Sequence, residues 1–360
     1  MMKRIKHLYL HVPFCKSICY YCDFCHITYN DEICNRWLKQ MGNEIREECK
    51  DYYETIYIGG GTPTCLSDEQ FDRLLSMIDP YANDVSEYTI EANPESLNEN
   101  KINILKNHHI NRISLGVQTS DNDLLKSLNR KHTFEDVVRC ISLLKDNGID
   151  NISVDLMYSL PGQTMEILKK SIDDILSLDT DHISIYSLTV EENTVFGKKN
   201  IEKLDDDTEG EMYEYIIKTL EDNGYINYEI SNFARNNKIS RHNLGYWNYE
   251  DFLGISAGAA SKIGNRRYQI TGNIHKYLED YHIYDEDIIL GKREMMFENI
   301  MMSLRTVYGL NINEFNKRYE CDFREEYKEA LKNELISIEN GICYCTNRAL
   351  LNQVLMDFMD

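Results

Sequence analysis

The segment Cys15-Lys-Ser-Ile-Cys19-Tyr-Tyr-Cys22 sets three cysteines at C-x₃-C-x₂-C spacing on one short loop. Three thiolates converging on one point can hold three irons of a [4Fe–4S] cube and leave the fourth iron without a protein ligand. An open iron suits a cluster that must bind and reduce something, whereas an electron wire needs only a closed one. The spacing also admits a zinc site, because zinc takes C-x₂₋₄-C pairs with further Cys or His ligands. Cys25 or His26 would complete such a set. Three unrelated core thiols are the plainest alternative.

A second group of chemistry-bearing residues follows. Gly59-Gly60-Gly61-Thr62-Pro63-Thr64 comes directly after an apolar run, Thr55–Ile58. Glycines there let a ligand approach the backbone and leave amides and carbonyls free to bond it, although a tight turn needs the same residues. The GK[ST] of a phosphate loop and the GxGxxG fingerprint are both missing, which argues against a nucleotide phosphate cradle. Glu91 in Glu-Ala-Asn-Pro, Gln118 in Gly-Val-Gln and Asp155 in Val-Asp-Leu each sit at the end of a later apolar run. Arg130 follows a short helical stretch and could add a carboxylate clamp. Singly, each suits a cap or a solvated turn. At matching ends of consecutive strands, they are better explained as one ligand pocket.

Such residues need a scaffold that gathers strand ends. Strand patterns occur at Leu8–Val12, Thr55–Ile58, Tyr88–Glu91, Arg112–Val117, Ile152–Met157 and Ile183–Leu188, with amphipathic segments between them. Ile33, Trp37, Met41, Ile45 and Cys49 recur at i+4 and share one helical face. Ser67 with Gln70 and Thr133 with Asp136 read as helix caps, and Gly148 as a helix stop. The alternation predicts an α/β fold, a parallel sheet curled into a partial (β/α)6 TIM-like barrel whose strand C-termini share one face. A doubly wound open sheet is the rival. A further helix is expected over Thr208–Asn223, then a loop-rich stretch without periodicity over Asn232–Arg267. From Arg293 the chain reads as helices with a short β-like piece around Gly341–Thr346. The expected division is a core over 1–235, a connecting segment over 236–285 and a small, mainly helical domain over 286–360.

Composition narrows the function. The 360 residues allow about two domains or one large barrel with an appendage. A net charge of −21 argues against a nucleic-acid partner. Met1–Lys6 lacks the apolar stretch of a secretory signal, and no run is long enough to span a membrane. Eleven cysteines without such a signal point to the cytoplasm, where thiols serve metals more often than disulfides.

In order along the chain, His11-Val-Pro-Phe14, the cysteine motif, Gly59–Thr64, Glu91-Ala-Asn-Pro94, Gly116-Val-Gln118, Arg130, Asp155-Leu-Met-Tyr-Ser-Leu-Pro-Gly162 and Tyr228-Glu-Ile-Ser-Asn-Phe233 resemble the radical S-adenosylmethionine (SAM) enzymes. More narrowly, they resemble the HemN-like coproporphyrinogen dehydrogenase group. The resemblance implies that Cys15, Cys19 and Cys22 ligate a [4Fe–4S] cluster and that SAM chelates the open iron. It also implies that Tyr9, Gly60, Gly61, Thr62, Glu91, Gln118, Arg130 and Asp155 contact SAM. Leu304-Arg305 with Gly309, then Phe315 and a helix around Tyr327–Ile338, resembles the group's winged-helix-like C-terminal domain.

Two features separate the branches of this group. Decarboxylating members carry a fourth cysteine two residues after the third, where this chain has Phe24; Cys25 lies one place further on. They also carry a long N-terminal extension, and 14 residues precede Cys15 here. The other branch, the HemW-like heme chaperones, is marked by H-N-x-x-Y-W, matched by His242-Asn243-Leu-Gly-Tyr246-Trp247. His242 is thereby a candidate axial heme ligand, with a satisfied histidine in an aromatic turn as the alternative. Cys25, Cys65, Cys343 and Cys345 are lesser ligand candidates. The resemblance implies a heme carrier with heme or porphyrin as cargo. Its partners would be acceptor hemoproteins, membrane respiratory enzymes among them, and a flavodoxin or ferredoxin reductant; a homodimer is allowed. Radical decarboxylation of coproporphyrinogen III is the enzymatic alternative.

Overall fold

The computed structural model describes residues 4–50 and 52–359; Met1 to Lys3, part of the segment read for a secretory signal, lie outside it. Six parallel strands form its centre: β1 (His7–Val12), β2 (Thr55–Gly60), β3 (Glu87–Ala92), β4 (Arg112–Gln118), β5 (Ile152–Tyr158) and β6 (His182–Ser187). They lie side by side in chain order. Each matches its sequence-predicted run to within two residues, because strands buried on both faces read as continuous apolar stretches between turn residues. The period-two alternation divides them. Leu8, Leu10 and Val12 of β1 join the main hydrophobic core, while His7 and Tyr9 turn inward to meet Thr55 and Tyr57 of β2.

The connecting helices form where caps and apolar faces agree. Helix α1 (Asp31–Glu48) opens on Asn30, whose side chain accepts from Ile33 N, and it buries Trp37, Met41 and Ile45 against the sheet. Helix α2 (Asp68–Ile78) opens on the Ser67–Gln70 capping box and α3 (Phe134–Asp146) on the Thr133–Asp136 box.

The stretch after Asn232, expected to be loop-rich, carries regular elements. The sheet continues at both ends. Asn232–Ala234 pairs antiparallel with β6, and β7 (Phe252–Ile255) pairs parallel with β1. Beyond β7 the chain adds antiparallel strands Ala260–Ile263, Arg266–Ile270 and Tyr284–Ile289. The two ends of this twelve-stranded sheet do not pair, so the barrel stays open. A helix of seven residues, α4 (Arg241–Trp247), lies in the same stretch. Elements of four to seven residues are too short for periodicity to reveal them.

A separate core gathers Met296, Ile300, Leu304, Phe315, Phe323, Val354 and Phe358. It packs on a small sheet of Leu310–Asn311, Ile336–Glu339 and Ile342–Cys345. The helix expected around Tyr327–Ile338 is absent. Asn340 and Gly341, at φ of 51° and 80°, instead form the two-residue turn of a hairpin that draws Ile336–Glu339 into the sheet. Cys343 and Cys345 are buried in this core, and Cys65 is buried in the barrel. Among the described residues, no helix is long and apolar enough to cross a membrane.

Candidate cofactor site at the barrel mouth

The C-terminal ends of the parallel strands open on a cavity of about 410 Å³. It is lined by Cys15, Cys19 and Cys22, by Gly60, Gly61 and Thr62 after β2, by Glu91 and Asn93 after β3, by Gln118 and Arg130, and by Asp155. Residues scattered over 141 positions, from 15 to 155 of the sequence, thus meet in one place, as strand-end geometry requires.

Local structure explains how each side chain is aimed. A register shift between Gly116 and Gln118 puts Gln118 at φ +70°, a left-handed conformation that costs a non-glycine residue on the order of 1 kcal/mol. That turn sends the Gln118 side chain into the cavity. Its Oε1 is buried without a hydrogen-bond partner. Arg130 bonds Gly116 O at 2.6 Å and Asn93 Oδ1 at 2.8 Å, and its Nη1 stands 3.5 Å from Cys19 Sγ. Its Nε is also buried and unpartnered. A Cβ at Gly116 would lie 2.9 Å from the Arg130 guanidinium and would have to displace it. Gly60, at φ +104°, requires glycine, and a Cβ there would also lie 2.6 Å from the His11 ring.

Glu91 accepts from Tyr57 Oη at 2.8 Å and from Gly60 N at 3.0 Å. Burial pushes its carboxyl up to about 7 despite those bonds. Asp155 accepts from Ser114 Oγ at 3.1 Å, and burial lifts it to about 6. Two buried acids at the edge of an open cavity suit hydroxyl or cationic groups of a ligand.

The three thiols line the cavity together and suit a metal centre. Burial raises Cys15 to about 11 and Cys22 to about 12, so each thiolate needs a metal's positive charge. One zinc at about 2.3 Å from each sulfur would hold them about 4 Å apart. Among the described residues, the one set of three ligand atoms lying within 4.8 Å of one another is Glu47, Glu48 and His282, not the cysteines. The three sulfurs are thus not gathered around a single-ion position in this structure. The unpartnered Gln118 Oε1 and Arg130 Nε beside them mark room for a polar ligand, as SAM would be.

Two expected residues are placed elsewhere. Tyr9 lies within the barrel, donates to His11 Nδ1 at 3.0 Å and does not line the cavity. His242 lies at the opposite, N-terminal end of the strands and is wholly buried. Its Nδ1 is 2.7 Å from Thr55 Oγ1 and its Nε2 is 2.7 Å from Tyr246 Oη. Thr55 is shared with His7 Nδ1, and His7 Nε2 reaches Glu250 at 2.8 Å. With the Glu250 carboxylate accepting, every hydrogen in this chain is assigned, and Tyr246 O–H fills the His242 Nε2 lone pair. Glu87, at the start of β3, caps α4 by accepting from Arg241 N at 2.8 Å and His242 N at 2.9 Å. In this arrangement neither His242 nitrogen is open to an iron.

Asn93 was not singled out from sequence, although it stands in the Glu-Ala-Asn-Pro motif. It bridges the Arg130 guanidinium and Thr62 Oγ1, the latter at 3.3 Å. Tyr186 and Glu191, also unforeseen, form the far rim. Cys25 lies beside the mouth rather than in it, with its thiol donating to Gly272 O at 3.2 Å.

The radical SAM superfamily model matches residues 9–175, and the HemN C-terminal domain model matches residues 290–351. The heme chaperone HemW of Lactococcus lactis is 38% identical, over 94% of this chain and 91% of its own. That of Bacillus subtilis is 37% identical over 99% of both chains. The structure of the Escherichia coli coproporphyrinogen III oxidase HemN, a radical SAM enzyme, superposes with a TM-score of 0.86 over 99% of this chain and 90% of its own, at 21% identity. That likeness concerns the fold. The chain belongs to the radical SAM superfamily and, within it, to the family of HemW heme chaperones.

Proposed function

We propose that this protein binds heme and delivers it to apo-hemoproteins, with a [4Fe–4S] cluster and SAM as resident groups. The observation that carries the reading is the end-to-end likeness to HemW chaperones, together with a mouth that keeps the three cysteines and the Gly60–Thr62, Glu91, Gln118, Arg130 and Asp155 ring.

Cys15, Cys19 and Cys22 would hold the cluster. Arg130 suits the carboxylate of SAM, the glycine carbonyls its ammonium, and the raised acids Glu91 and Asp155 its polar groups. Bound there, the cluster supplies a low-potential electron and an open iron. The protein's own part is to orient, desolvate and exclude water. Gly60 and Gly116 allow close approach, and Arg130 supplies a fixed positive charge beside Cys19.

Position 24 separates the carrier from the decarboxylating enzyme. Phe24 is 66% exposed on the cavity rim, where the enzymes carry a cysteine. An exposed phenyl ring offers a flat apolar ligand a face to rest on. We place the work of this protein in the cytoplasm, with a small flavoprotein or ferredoxin as electron donor and membrane hemoproteins among the acceptors. We also set the domain boundary where the C-terminal core begins, near 290.

The test is a paired assay on anaerobically reconstituted protein. Saturable heme uptake followed by transfer to an apo-hemoprotein supports the carrier. Conversion of coproporphyrinogen III to protoporphyrinogen IX would assign the enzyme instead.

A further inference from the structure

Resting on the heme-carrier reading, we propose that His26 is the axial heme ligand, placing the cargo at the barrel mouth beside the cluster loop. His26 follows the third cysteine by four residues and lines the mouth cavity. Its Nδ1 lies 2.5 Å from Phe24 O. A carbonyl can only accept, so Nδ1 carries the hydrogen and the lone pair stands on Nε2. Among the described residues Nε2 has no hydrogen-bond partner. A ring N–H anchored on a backbone carbonyl, with the other nitrogen open, is the arrangement that prepares a histidine to bind a metal.

The other histidines of the barrel's inner face lack that opening. His7, His182 and His242 each have both ring nitrogens occupied. His11 accepts from Tyr9 and donates to Cys25 O at 2.7 Å. The surroundings of His26 also fit a flat apolar ligand. Phe24 at 66% and Tyr186 at 39% exposure stand on the same rim, and Ile18 at 37% projects from the same loop. Asp23 and Glu191 line the mouth as well, so the propionates would turn outward to water. A carrier has to release its cargo. One histidine at an open mouth permits ligand exchange with an acceptor, which a ligand sealed inside the barrel would not.

The experiment is a hemin titration of anaerobically reconstituted full-length protein. Ferric heme is read by electron paramagnetic resonance, and iron and sulfide are assayed in parallel. His26→Ala should weaken heme binding by at least about tenfold and replace the histidine-ligated signal, with added imidazole restoring it. His26→Asn keeps a donor for Phe24 O but removes the Nε2 lone pair, and should behave alike with its cluster intact. Tyr246→Phe, which alters only the buried His242 chain, should leave the heme signal unchanged. An unchanged signal and affinity in both His26 variants would overturn the assignment while leaving the carrier reading standing. Absence of saturable binding by the unmodified protein would overturn both.

Discussion

The two ends of the barrel are built from similar residues and reach opposite states. At the N-terminal base, His7, Thr55, His242, Tyr246 and Glu250 form a closed chain of hydrogen bonds of 2.7–2.8 Å. At the C-terminal mouth, Gln118 Oε1 and Arg130 Nε are buried without partners, and two carboxyls are held well above their ordinary range. A buried polar atom left unsatisfied costs about 1–3 kcal/mol. The fold bears that cost at the mouth and avoids it among the base histidines. His242 and Tyr246 of the H-N-x-x-Y-W motif therefore tie the base together, although Trp247 Nε1 of the same motif is buried without a partner, whereas the strand-end residues wait for ligands.

The widest difference between the ends should come from Cys19→Ala. It should abolish cluster iron and sulfide while circular dichroism and the unfolding midpoint stay close to the parent's, because a loop thiol contributes little core. Global unfolding of this variant would break the comparison. Arg130→Gln comes next. It removes a charged fork from a buried site and should weaken SAM binding about tenfold to a hundredfold, as measured by equilibrium dialysis.

Thr55→Val tests the base. It strips the hydroxyl that both His7 and His242 use, and should cost about 2–3 kcal/mol in urea unfolding with iron content unchanged. A loss of cluster with full stability would reverse the roles assigned to the two ends.

The smallest effect is on pH. Burial raises Glu91 to about 7, so the folded state holds a proton that the unfolded chain releases near pH 4. Stability from this group is full below that lower value and is lost as pH rises toward 7. Glu91→Gln stays neutral throughout. Its stability relative to the parent, both without ligands, should therefore increase between pH 4.5 and 7.5 by on the order of 2 kcal/mol. A pH-independent difference would show that Glu91 is not held protonated.

The mouth was legible in sequence because its chemistry is local. The cysteine spacing lies within one loop, Glu91 and Gln118 fall at the ends of apolar strands and Asp155 within another, so parallel topology brings them together. The base was not legible. His242 meets Thr55 across 187 residues, and Glu87 caps α4 across 155, so no local pattern shows that His242 is fully bonded. β7 was missed for a related reason. Its four residues, Phe252–Ile255, are stabilised by pairing with β1 rather than by any periodicity of their own. The hairpin at Asn340-Gly341 falls between the expected helix around Tyr327–Ile338 and the expected β-like piece around Gly341–Thr346, so its second strand was legible and its first was read as helix.

The most direct test of the central claim is electron paramagnetic resonance of the reduced, anaerobically reconstituted protein before and after SAM, with iron and sulfide assayed on the same sample. The account predicts about four irons and four sulfides per chain and a cluster signal that changes when SAM binds the open iron. Zinc without sulfide, or a cluster signal indifferent to SAM, would contradict it.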